Sequence, residues 1–468
     1  MIYALMPAIF IAAILCIAFE DKIKINKAAV AISSAILLWS MLFMSADGIL
    51  GNGYSEAFAD FSSKVPSIAE MSPHDRYFSF LSQYAIIEHL GDVATTLFFV
   101  IGSMIIVEIV DSHGGFRVIT DRIHTRSKRR LLVIISLLTF VLSALLDNLA
   151  TAIVMIAILR KFIPEQKEMW IFCSMVVIAA NAGGSWSPIG DVTTILLWSG
   201  GNLTPGHQIS HLLLPALVCM AVPLTIAYFT FFKRNERWNQ HRQVHAENDM
   251  LPQIKKRSRI VILVIGILSL AFVPVFNELT GLPPFMGVMC GLAILWIYTD
   301  LMYSRIDTID DKDKLSIANV FHKIDMSTIM FFFGILMSVA ALETAGQLSQ
   351  ASGWLDEHLH SPLLIAFILG MVSSFLDNVA LVAGTMGMYD IVTDPAAGAY
   401  ALQFAADGSF WTFLAYCCVT GGSILIIGSA TGVAVMGMEK ISFGYYLKRF
   451  SALALAGYIC GAAVYLLL

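Results

Sequence analysis

Charge is what this chain has least of. Only 13% of its 468 residues are Asp, Glu, Lys or Arg, against about 25% in a typical soluble domain. Between Lys323 and Lys440 there is no Lys or Arg at all. With 57% hydrophobic residues, that scarcity excludes an ordinary soluble domain. The net charge of −5, without a basic tail, leaves no nucleic-acid footprint. Cysteine provides no framework either. Cys16, Cys173, Cys219, Cys290, Cys417, Cys418 and Cys460 sit within or beside apolar runs, with no C-x-x-C or zinc spacing. They read as packing residues. The H-E-x-x-H and G-x-S-x-G patterns are missing, and the eleven His fall in expected loops or near segment ends. Neither an intramembrane enzyme nor a histidine relay is expected. The first residues lack a basic n-region and an A-x-A-like site, so residues 2–19 read as a retained span.

What the chain has in abundance is apolar runs of about 17–25 residues, which predict an all-α polytopic membrane protein. Spans are expected at 2–19, 28–45 and 93–112, with a polar, acid-rich stretch over 46–91 whose part Phe78–Leu90 suits a short interfacial helix. Of the 29 Lys and Arg, all but Lys64 and Arg76 fall in segments assigned to one side. The positive-inside rule makes that side cytoplasmic and both termini periplasmic. Arg117, Arg122, Arg126 and Lys128-Arg129-Arg130 mark one such loop.

The apolar stretch 131–159 lies between that loop and Arg160-Lys161. Two complete spans would need about 40 residues, and a single span would strand one basic cluster on the wrong side. A re-entrant hairpin satisfies both constraints, with its tip near Asp147-Asn148. The next span, 170–199, is interrupted by Asn181-Ala-Gly183-Gly184-Ser185-Trp-Ser187-Pro188-Ile-Gly190-Asp191-Val-Thr193-Thr194. Glycines, a proline and polar side chains at that density predict an unwound centre between half-helices. A span at 211–231 closes the first half (1–231), and a basic linker at 232–259 follows.

The second half (260–468) repeats this plan. Spans are expected at 260–276, 285–303, 326–346 and 450–468. A second hairpin over 362–389 would enter from the opposite side, and a second broken helix covers 410–439. Ser143-Ala-Leu-Leu-Asp147-Asn148 returns as Ser373-Ser-Phe-Leu-Asp377-Asn378. Gly183-Gly184-Ser185 with Gly190 and Thr193 matches Gly421-Gly422-Ser423 with Gly428 and Thr431. Five spans plus a hairpin per half, an odd number, makes the copies inverted. Ten spans and two opposed hairpins are therefore expected, the architecture of a secondary transporter whose site lies where the repeats meet.

An ionised Asp at the bilayer centre costs about 3 kcal/mol on insertion scales, so repeated Asp-Asn pairs in apolar runs mark a site. The candidates are Ser143, Asp147, Asn148, Asn181, Asp191, Thr193 and Thr194 in the first half, and Ser373, Asp377, Asn378, Ser423 and Ser429 in the second. With no Lys or Arg expected within the spans, this oxygen-rich, carboxylate-bearing set suits a hard monovalent cation such as Na⁺. A desolvated carboxylate also retains a proton more readily, so proton and cation would compete for it. Ser429 stands where Asp191 stands, so the two halves differ chemically.

These motifs resemble the NhaD family of bacterial Na⁺(Li⁺)/H⁺ antiporters, in a superfamily that also holds arsenite permeases and Na⁺/dicarboxylate symporters. The resemblance spans nearly the whole chain. It implies exchange of Na⁺ and Li⁺ for protons across a bacterial inner membrane, without a cofactor and without enzymatic activity. Paired protomers are common among such relatives, which admits a homodimer. A dicarboxylate or arsenite carrier is the alternative function, and the loop 389–409 has no assigned role.

Overall fold

A computed structural model describes residues 2–18, 20–53, 55–65, 71–116, 118, 125, 127–233, 236, 255–304, 320 and 323–468. Arg117, Arg122 and Arg126, most of the 232–259 linker and most of the 304–325 loop lie outside the described residues. The described chain is all-α, with an isolated bridge between Val392 and Ala405 and no strand among the described residues. Among the described residues, seven helices are long and apolar enough to cross a membrane, or up to ten if each of three bent pairs counts as one span.

Besides short helices at Glu20–Ile23, Ala46–Leu50, Glu56–Lys64 and Pro73–Ser79, the first half contains α1 (Ile2–Ala18), α2 (Lys27–Met44), α3 (Ile86–Ser112), α4 (Lys128–Leu146), α5 (Asn148–Phe162), α6 (Gln166–Ser185), α7 (Val192–Ser199) and α8 (Pro205–Thr230). The second comprises α9 (Lys256–Ala271), α10 (Val273–Thr280), α11 (Pro284–Tyr303), α12 (Met326–Thr344), α13 (Gln347–Leu359), α14 (Pro362–Val372), α15 (Asn378–Met386), α16 (Ser409–Gly421), α17 (Ala430–Glu439), α18 (Phe443–Arg449) and α19 (Ser451–Leu467). Both expected hairpin tips and both expected helix breaks fall between helices, at 147, 373–377, 186–191 and 422–429.

Two segments differ from expectation. Phe78–Leu90 is not a separate interfacial helix. It runs through a π-helical turn at Phe80–Ala85 into α3, giving one helical element from Pro73 to Ser112. This places His89 within a helix that counts as a span, its Nε2 3.1 Å from Thr344 Oγ1. Residues 347–359 form α13, which meets α14 at 114°. Its Gln, Ser and Asp content gives too weak an apolar signal to read as a membrane element.

Helix ends follow local chemistry. Asn26 caps α2 by accepting the Ala28 N–H, and Pro205 occupies the first turn of α8, where a missing N–H costs nothing. The apolar residues divide into three buried clusters. One gathers the first hairpin, α6, α3 and α11, a second gathers α2 and α12, and a third gathers α8, α14 and α16. The central polar region lies where these clusters meet.

Candidate functional site

The first hairpin turns at a single residue. Asp147 ends α4 and caps α5, with φ 90° and ψ 157°, a region populated essentially by glycine and costing about 1–3 kcal/mol. Its Oδ1 accepts the Ala150 N–H at 2.8 Å, which offsets part of that cost. Asp377 plays the matching cap on α15, accepting the Val379 N–H at 3.0 Å, but from an ordinary backbone conformation.

Close backbone contact seats each hairpin against a broken helix. A Cβ on Gly183 would lie 2.3 Å from the Phe140 carbonyl oxygen, and one on Gly421 would lie 2.0 Å from that of Gly370. Only glycine permits either approach. Ser143 Oγ donates to the Ala180 carbonyl at 2.5 Å, and Ser373 Oγ donates to the Cys418 carbonyl at 2.7 Å. These two serines, both in the expected site set, fasten hairpin to helix.

At the first break, α6 stops and the chain restarts as α7 with Asp191 as its cap, Oδ1 accepting the Thr193 N–H at 2.8 Å. Asp191 is only 2% exposed. It accepts a hydrogen bond from Asn148 Nδ2 of the first hairpin and two, at 3.2 Å each, from Asn378 Nδ2 of the second. Asn148 Nδ2 also donates to Asn181 Oδ1 at 3.1 Å. Asn181 Nδ2 donates to Ser423 Oγ at 2.9 Å and Ser429 Oγ at 3.0 Å, both in the second break. One hydrogen-bonded chain therefore joins both hairpins and both breaks, with a single carboxylate at its centre.

Thr194 Oγ1 donates to the Asp191 carbonyl and serves the local turn. Thr193 and Thr431, which occupy matching places at the starts of α7 and α17, are fully buried. Among the described residues their hydroxyls have no hydrogen-bond partner, and Thr151 of the first hairpin is in the same state. A buried hydroxyl without a partner costs roughly 1–3 kcal/mol, so such groups beside a carboxylate suit a polar guest.

A cavity of about 500 Å³ reaches Asp147, Asn148, Asp191 and Asn378, with Glu108 and Lys323 also in its wall. Lys323 pairs with Glu108 at 3.3 Å and donates to Ser112 Oγ. A second cavity, of about 550 Å³, is lined by Glu88, His89, Asp92 and Glu343, and does not include Asp191. Asp377 lines neither; it borders a small cavity of about 50 Å³ together with Lys27 and Ser429. Of the twelve expected residues, Asn148, Asn181, Asn378, Ser423 and Ser429 join Asp191 in the side-chain network, whereas Ser143 and Ser373 fasten hairpin to helix, Thr193 and Thr194 belong to the start of α7, and Asp147 and Asp377 cap helices beside the network.

Sequence reading missed several supporting residues. Gln208 is fully buried and donates to the Ser185 and Ser187 carbonyls at 3.1 and 3.0 Å, bracing the first break. Tyr446 donates to the Ser423 carbonyl at 2.7 Å and braces the second. Both lie outside the polar motifs, in helix turns with no local signal. Lys27 looked like part of a connecting loop; it opens α2 and lines two of the cavities.

Helices broken around a buried carboxylate, in an all-α polytopic frame, define a membrane carrier. A family model described as "Citrate transporter" matches residues 14–406. A protein of Arabidopsis thaliana named "Sodium/proton antiporter 1" is 40% identical over 450 residues, covering 96% of this chain and 70% of that protein. The "Na(+)/H(+) antiporter NhaD" of Alkalimonas amylolytica is 26% identical over 486 residues, covering 98% and 89%. The "Na(+)/H(+) antiporter NhaD" of Vibrio parahaemolyticus is 28% identical over 362 residues, covering 71% and 81%. The chain belongs to the NhaD antiporter family of transporters, within the broader family that this model describes.

Proposed function

We propose that this protein exchanges Na⁺, and Li⁺ at the same oxygens, for protons across a bacterial inner membrane. The carrying observation is the buried carboxylate of Asp191 held by carboxamides from both hairpins. A buried carboxylate is tolerable when protonated or when paired with a cation, and costly when bare. Proton and Na⁺ are therefore alternative occupants of one place, the minimum an antiporter needs. Asp147, at the cavity end of the first hairpin, passes ions to it, and the unpartnered Thr193 and Thr431 hydroxyls supply neutral oxygens.

The network also supplies coupling. Neutralising Asp191 weakens an acceptor shared by Asn148 and Asn378, so occupancy is felt by both hairpins at once. We read the two halves as inverted repeats (1–231 and 260–468), with the Lys- and Arg-rich face cytoplasmic and both termini periplasmic, following the charge bias. The large cavity at Asp191 then opens inward. A homodimer is compatible with this frame.

The test is proton flux in proteoliposomes driven by a Na⁺ gradient. Wild type is expected to move protons on addition of Na⁺ or Li⁺, and Asp191→Asn to lose the response about 100-fold or more, as for removal of an essential charged group. Citrate uptake without cation-linked proton movement would instead establish the carrier of organic anions named by the family description.

A further inference from the structure

Lys27 is an unusual first residue for a helix. A cation in the first turn opposes the helix dipole by about 0.3–1 kcal/mol, and a long side chain at a membrane edge normally snorkels to water. Here the ammonium turns inward. Lys27 Nζ lies 4.8 Å from the ring centroid of Phe331, a fully buried residue. The side chain lines the small cavity shared with Asp377 and Ser429. Among the described residues it is the only Lys or Arg lining that cavity, and it also reaches the wall of the large one. The second acid there, Glu20, uses Oε1 to accept the backbone N–H of Lys27 at 3.0 Å. Asp377 uses Oδ1 as a helix cap.

We propose that Lys27 is the resident counter-cation of Asp377, a tethered charge standing where a second transported cation would otherwise bind. This rests on the antiporter reading above. The two hairpins then differ in kind: the first presents its carboxylate to the large cavity that holds Asp191, whereas the carboxylate of the second is already answered by the protein. Lys27 is a positioning residue that confines exchange to the Asp147–Asp191 side of the site. The half-buried Asp377 carboxylate also gains a counter-charge from it.

The experiment measures the apparent KM for Na⁺ in proteoliposomes for wild type, Lys27→Gln, Lys27→Arg, Asp377→Asn and the double variant Lys27→Gln/Asp377→Asn. Lys27→Gln uncovers Asp377 and is expected to lower KM by about fivefold or more, the lower end of coupling between neighbouring sites. Asp377→Asn leaves the ammonium unanswered and is expected to raise KM. Lys27→Arg and the double variant are expected to lie near wild type. Opposite shifts that cancel in the double variant are not what damage to packing produces. Equal KM in wild type and Lys27→Gln, shifts of the same sign in both single variants, or a double variant worse than either would overturn the proposal. Absence of Na⁺-dependent exchange in wild type would instead overturn the antiporter reading itself.

Discussion

The most informative single residue is Asp147. Its backbone occupies a region essentially reserved for glycine, yet an Asp is there. The strain and the cap act in opposite directions, so two substitutions separate them. Asp147→Gly relieves about 1–3 kcal/mol of strain and loses only a few tenths as a cap. It is expected to raise thermal stability in detergent while lowering Na⁺-dependent proton flux. Asp147→Ala keeps the strain, loses the cap and should be less stable than wild type. A glycine variant that is both less stable and fully active would show that Asp147 is a structural cap and no more. The sequence made this residue conspicuous through its pairing with Asn148 in an apolar run. Its φ could not be read, because nothing in the neighbouring residues demands it.

At the scale of elements, the first hairpin is pinned at its base. Lys128, at the start of α4, hydrogen-bonds Glu168 of α6 and, at 2.7 Å, Glu236 beyond α8. Arg160 at the end of α5 pairs with Glu439 of α17 at 2.7 Å. The Lys128 ammonium, helped by the Lys233 backbone N–H, holds the Glu236 carboxyl below its usual range. A carboxylate with a lowered folded value contributes stability above its unfolded pKa of about 4.3, lost as pH falls through the folded value. Wild type is therefore expected to lose more thermal stability than Glu236→Gln when pH drops from neutral into that acid window. Parallel losses would remove Glu236 from the anchor. The hairpin itself was legible because its length and its flanking charges conflict with any ordinary span. The partners of Lys128 were not, since Glu168 and Glu236 stand among several acids and only the fold selects these two.

Across the whole molecule, the legible parts were those that violate membrane chemistry locally: Gly183-Gly184 with Pro188, Gly421-Gly422 with Gly428, and the two Asp-Asn pairs. Each tip falls at its Asp-Asn pair, but the first break is narrower than expected. It covers 186–191 with Pro188, while Gly183-Gly184 stay in the last turn of α6 and serve close packing, and the second covers 422–429. The convergence on Asp191 was not legible. Asn148 and Asn378 belong to opposite halves, and only the packing of both hairpins around α7 brings their carboxamides to one carboxylate. Lys27 escaped notice for a related reason, as a charge beside a span ordinarily marks a loop. In place of two chemically different Asp-Asn sites, the side chains meet at one shared centre on Asp191, and that centre can be tested without reference to transport. Na⁺ binding to the purified protein, measured by calorimetry in buffers of different ionisation enthalpy, should release protons, and Asp191→Asn should abolish that release. Na⁺ binding with no proton release in wild type, or release that persists in Asp191→Asn, would contradict it.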